Sequence, residues 1–116
     1  DPRETAAYFL LADLMVIPGL VGLAIVHGFA FGLPLVTTRH DFHSPEIEYL
    51  SADNGIMTSP DPVNYALAIH SILSSKRVLQ TMQYEARVTA DGLLLGISVR
   101  RFLNALTPTH ARWMAE

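Results

Sequence analysis

Residues Leu14–Val36 read LMVIPGLVGLAIVHGFAFGLPLV, and this run constrains the chain more than any other feature. About 20 consecutive apolar residues is the length of a membrane-spanning helix. Four features argue against a span. Pro18 and Pro34 cut the run into pieces of strand, helix and strand length. Gly19, Gly22, Gly28 and Gly32 sit beside or between the cuts, Asp13 abuts one end, and His27 falls in the middle, where an ionisable group is costly in lipid. No basic segment precedes the run, so it does not read as a signal peptide. The expectation is a buried strand, a buried helix and a second buried strand.

The flanking sequence extends that pattern. Arg3–Ala12 is expected to be a helix closed by Asp13. Leu14–Ile17 is a continuous apolar run ended by Pro18-Gly19, the signature of a fully buried parallel strand. Leu20–Phe31 is expected to be a helix covered on most sides and stopped by Gly32. Pro34–Thr38 is the second strand. Ser44-Pro45-Glu46 reads as a Ser-capped helix start running through Ile47 and Leu50. Asp53-Asn54-Gly55 is a turn and Ile56–Thr58 the third strand. Ser59-Pro60-Asp61-Pro62 opens a helix whose Val63, Ala66, Leu67, His70 and Leu73 share one face. Two more helices are expected, over Ser75–Val88 and near Ile97–Leu106, the latter with Val99, Phe102, Leu103 and Leu106 on one face. No internal repeat or low-complexity segment is visible.

Strands alternating with helices imply an α/β fold with a Rossmann-like parallel sheet. Three strands are half of a doubly wound domain, and the first would normally be central. Composition agrees with an incomplete unit. The 116 residues are 50% hydrophobic but only 16% charged, against about 25% charged in ordinary soluble domains. Residues 1–106 are therefore expected to form a partial domain and 107–116 a tail. Exposed apolar surface and self-association are expected along the first strand if the piece folds alone. There is no cysteine, which excludes disulfide scaffolds, thiolate metal sites and cysteine nucleophiles. With 8 Lys+Arg against 11 Asp+Glu, and Lys76 as the single lysine, nucleic acid is excluded as a partner.

In an open parallel sheet, ligands bind beyond the carboxyl ends of the strands. The loop Pro18-Gly19-Leu20-Val21-Gly22 falls there and leads into a helix, so Gly22, Leu23 and Ala24 would offer unpaired N–H groups to an anion such as phosphate. The alternative is an ordinary glycine-containing strand-to-helix turn. The spacing lacks the third glycine and the acidic residue of a dinucleotide fingerprint. His27 shares a face with Leu20, Leu23, Ala24 and Phe31, either as a core histidine or as a ligand contact. His40, Asp41, His43, Glu46 and Glu48 cluster in sequence, but a zinc site needs three or four convergent ligands, so a solvated loop is preferred and no metal is expected.

Six ordered pieces carry a family resemblance: Ala12-Asp13-Leu14, Pro18-Gly19, Gly22-Leu23, Gly32-Leu33-Pro34-Leu35-Val36, Pro45-Glu46-Ile47 and Asn54-Gly55-Ile56. In order and spacing they resemble the donor-binding half of glycosyltransferase family 4, enzymes of the GT-B fold. The resemblance covers Ala12–Thr58 and continues more loosely to Leu106. The family's Glu–seven residues–Glu pair falls on Gly19 and His27, as in a subset with Pro-Gly-x-Val-Gly-Leu and His at the second position.

The resemblance implies transfer of a glycosyl group from a nucleoside-diphosphate sugar to an acceptor hydroxyl, with retention of configuration and without a catalytic metal. Polysaccharide or glycoconjugate synthesis is the implied setting. It places Gly19, Gly22, Leu23, Ala24, His27, Thr38 and Arg39 around the donor, His27 on the ribose and Arg39 near phosphate. The partners it implies are the nucleotide-sugar donor, a carbohydrate or glycolipid acceptor, and an N-terminal half of the same enzyme that carries the missing basic clamp. Peripheral association with the inner membrane face and a cytoplasmic location go with it. The catalytic residues are not identified, and the fragment is expected to be inactive alone. The alternative function is a non-catalytic α/β module that binds a phosphate ligand or a protein.

Overall fold

The computed structural model describes residues 1–106, except the side chains of 97–104 and 106. The element order is α1 (Pro2–Leu11), β1 (Met15–Ile17), α2 (Ala24–Ala30), β2 (Leu35–Thr38), a 3-10 turn (Pro45–Tyr49), β3 (Gly55–Thr58), α3 (Pro62–Leu73) and α4 (Lys76–Leu106). The three strands form one parallel sheet in the order β1-β2-β3. The fold is thus the expected Rossmann-like α/β arrangement.

The central strand is β2, not the first strand. Leu35 pairs with Met15 on one side and Gly55 on the other. All four β2 residues are buried, which suits its β-branched sequence. In contrast β1 lies at the edge of the described sheet, and Val16 is 43% exposed. The fully buried first strand expected from its apolar run is not found, because burial needs neighbours on both sides and, among the described residues, β1 pairs only with β2. Gly55 is required where it stands: a Cβ there would lie 2.2 Å from the Leu35 carbonyl oxygen.

The two faces of the sheet carry separate cores. Leu35 packs with Val21, Ile25 and Phe29 and with Ala86 and Ala90 of α4. Val36 points the other way, into Ala68, Ile72 and Met82. Complete burial of side chains such as Phe29, Ile25, Leu35 and Ile72 contributes about 1.5–3 kcal/mol each. On α3 the buried positions are Ala68 and Ile72, whereas the face expected inside is outside. Val63, Leu67 and Leu73 are all at least half exposed. This helix is apolar nearly all round, so periodicity alone does not choose its inner face; contact with Val36 does.

The expected helix over Leu20–Phe31 begins only at Ala24. Val21 is tied elsewhere: its carbonyl accepts the Ser44 N–H at 3.1 Å. The helix ends as foreseen. Gly32 has φ +71°, its N–H donates to the Phe29 carbonyl, and the Leu33 N–H donates to that of Gly28, the paired bonds of a Schellman close. The Ser44 start yields a 3-10 turn without a side-chain cap. The two expected C-terminal helices are one helix, α4, because Gly92 and Gly96 weaken a helix but do not break it as proline would. Val99, Phe102, Leu103 and Leu106 fall outside the described side chains, and the tail 107–116 outside the described residues.

Side-chain hydrogen bonds of α4 reach the amino ends of the strands. Gln83 Nε2 donates to the Asp13 carbonyl just before β1, and Thr89 Oγ1 accepts from Asn54 just before β3. The Arg87 guanidinium occupies the space beside Gly32. Among the described residues no helix is long and apolar enough to cross a membrane.

Candidate functional site at the carboxyl ends of the strands

Parallel pairing brings three loops to one end: Pro18-Gly19 after β1, Arg39-His40 after β2 and Ser59–Asp61 after β3. They enclose a hollow of about 320 Å³ lined by Pro18, Thr38, His40, Pro60, Asp61, Pro62 and Tyr65. Thr38, the last residue of β2, is buried, and its Oγ1 donates to the Pro18 carbonyl. His40 Nε2 lies 2.7 Å from that hydroxyl and 3.2 Å from the same carbonyl. Asp61 caps α3 by accepting the Val63 N–H at 2.8 Å. Tyr65 O–H donates to the Val36 carbonyl at 3.0 Å, and burial pushes its phenol above the ordinary tyrosine range. The hollow therefore offers a carboxylate and an imidazole among prolines and an aromatic ring.

The loop from β1 to α2 forms a second part of the site. None of the N–H groups of Gly22, Leu23 and Ala24 has a partner among the described residues. A Cβ at Gly19 would meet nothing within 4 Å, and one at Gly22 only Ser44 Oγ at 3.8 Å. These glycines are not demanded by packing or by φ, so the open space beside them is available to something else. His43 ties this loop to β2 through its two ring nitrogens. The Val21 N–H donates to Nδ1 at 2.9 Å, and Nε2 donates to the Thr38 carbonyl at 2.7 Å.

The residues expected around a donor are partly brought together. Gly19, Gly22, Leu23 and Ala24 lie on the β1–α2 connection, and Thr38 and Arg39 at the end of β2. Arg39 has an exposed side chain and gives its N–H to the Thr58 carbonyl. His27 stands apart. It is exposed and lines a hollow against α1 with Asp1, Pro2, Thr5, Ala6, Phe9 and Phe31. Beside it, Phe9 of α1 and Phe31 at the end of α2 meet with tilted rings, their centroids 5.2 Å apart.

His40 and His43 do not act as a ligand pair, since backbone groups occupy both nitrogens of His43. Among the described residues no three histidine, aspartate or glutamate side chains converge as a metal site requires. The sequence reading did not assign His40, Asp61 and Tyr65 to a site. The signal for Asp61 was present: Ser59-Pro60-Asp61-Pro62 is a strand-to-helix junction like Pro18-Gly19, and a parallel sheet sets such junctions side by side. Set against family models, curated proteins and solved structures, the chain matches none of them.

Proposed function

We propose that this chain is the nucleotide-sugar-binding half of a glycosyltransferase, taking a nucleoside-diphosphate sugar at the carboxyl ends of its strands. The observation that best supports this reading is the strand order. The strands are laid down outward from β1, whose far edge is unpaired among the described residues. A doubly wound sheet reverses direction at such an edge, and ligands bind in the crevice beside it. The loop beside that crevice carries the unpartnered N–H groups of Gly22, Leu23 and Ala24. In this reading those donors face the diphosphate and stabilise the charge that grows on it as the glycosyl bond breaks. Arg39 adds a fixed positive charge. The acceptor, a carbohydrate or glycolipid, and the remaining basic clamp belong to the N-terminal half of the enzyme.

Calorimetric titration of the protein with UDP and other nucleoside diphosphates tests the site. Gly22→Val should abolish binding while leaving the circular dichroism spectrum intact, because a side chain there meets only Ser44 Oγ. Unchanged affinity in that variant would remove the loop from the site. His27→Ala addresses the ribose contact separately: a loss of about 1–2 kcal/mol, one hydrogen bond, places His27 on the nucleotide, and unchanged affinity leaves it to the α1 hollow. Released nucleoside diphosphate from the full-length enzyme, followed across a panel of donor sugars, identifies the substrate.

A further inference from the structure

The imidazole of His43 is clamped between a donor and an acceptor of the main chain. The Thr38 carbonyl can only accept, so Nε2 carries the hydrogen of the 2.7 Å bond. The Val21 N–H can only donate, so Nδ1 is bare at 2.9 Å. This pairing requires a neutral ring in one tautomer. A protonated ring carries hydrogen on both nitrogens, and Nδ1–H then meets the Val21 N–H head on. Val21 is almost wholly buried, so the displaced N–H has no water to turn to. The bond to Thr38 survives protonation, because a cationic ring donates more strongly. The ring therefore stays with β2 and lets go of the loop.

We infer that His43 is the positioning residue of the β1–α2 loop and that its protonation releases Val21, giving the strand-end site a pH-dependent shape. Neutral His43 fixes Val21, and Val21 leads directly into the N–H groups of Gly22, Leu23 and Ala24. Charged and titratable groups surround the ring. His40 stands edge-on with ring centroids 5.5 Å apart and opposes a second positive charge when it is itself protonated. The Glu46 carboxylate meets Ser44 Oγ, which also bonds the Val21 carbonyl. Arg39 and Asp41 are exposed on the same loop and Glu48 on the turn, β2 carries no titratable side chain, and His27 on α2 faces α1. Imidazole is the side chain whose charge changes between about pH 5 and 8.

Nitrogen-15 NMR of the 116-residue chain tests this without any ligand, so its outcome is separate from that of nucleotide binding. At about pH 7.5 the His43 ring should show a bare Nδ1 and a protonated Nε2. On lowering the pH to about 5.5, exchange of the Val21 amide, corrected for its intrinsic pH dependence, should accelerate roughly tenfold, the scale of one lost hydrogen bond. The midpoint should coincide with the titration of His43. His43→Gln supplies an acceptor oxygen and a donor nitrogen that do not titrate, and should keep Val21 protected at both pH values. His40→Gln should leave the wild-type pH dependence in place. The inference is overturned if Val21 protection is constant while His43 titrates, if its pH dependence persists in His43→Gln, or if it disappears in His40→Gln. Should His43→Gln fail to fold, the wild-type titration decides alone.

Discussion

Ser44 precedes Pro45 and Glu46 as a capping serine does, yet its hydroxyl does not cap the turn. Its Oγ lies 3.0 Å from the Val21 carbonyl and against the Glu46 carboxylate. That hydroxyl, followed by Glu46's own backbone N–H, holds the Glu46 carboxyl below its ordinary value, and slight desolvation works against them. A depressed folded-state pKa means the favourable contribution is present above the unfolded carboxyl pKa and is lost as pH falls through the folded one. Ser44→Ala should therefore return Glu46 toward its ordinary titration, read from the carboxyl carbon-13 shift against pH. An unaltered midpoint would assign the depression to the backbone instead. The Asp61 cap was legible because its partner, the Val63 N–H, is two residues away. The work of His43, Ser44 and Thr38 was not, because their partners at Val21 and Pro18 are about twenty residues distant and become neighbours only through the sheet.

At the scale of elements, the punctuation marks were legible and the surroundings were not. Pro18, Gly32 and Pro62 bound their elements where the sequence put them. The start of α2 moved because Val21 found partners outside its own helix. The inner face of α3 was misplaced because Tyr65, Ala68, Ile69 and Ile72 form an apolar row as good as the one chosen. Helix α4 passed through two glycines where a break was expected. Those glycines provide the test. Gly92 is exposed, and a Cβ there would meet nothing within 4 Å. Gly92→Ala should stabilise the protein by about 0.5–1 kcal/mol, the helix preference of alanine over glycine, seen as a raised urea midpoint. A lowered midpoint would mean that something does approach that face.

For the whole molecule, the apolar excess in the composition has a location. Part of it is Val16 on β1 with Leu20 and Leu23 on the adjoining loop, all large, apolar and exposed, while further exposed apolar residues lie on α1, α3 and α4. An edge strand with free backbone groups among such side chains is a template for another chain. The chain should accordingly self-associate with rising concentration in sedimentation velocity runs, and Val16→Lys should shift it toward monomer. A chain that stays monomeric at every concentration would show that this edge does not attract a second copy. Under the proposed function the same edge borders the ligand crevice, so a bound nucleoside diphosphate should weaken self-association. Three parallel strands were legible from strand lengths and prolines, whereas which strand is central among the described residues depended on pairing that no local pattern records.

The position of β2 also bears on the order of assembly. Leu35 pairs with Met15 twenty residues before it and with Gly55 twenty residues after it. The two closures therefore carry nearly the same entropic cost, since that cost depends on loop length. Neither flank of the sheet has a head start. Whichever crossover first buries its apolar side chains against β2 becomes the nucleus, and the choice rests with side-chain packing and not with the length of chain to be closed.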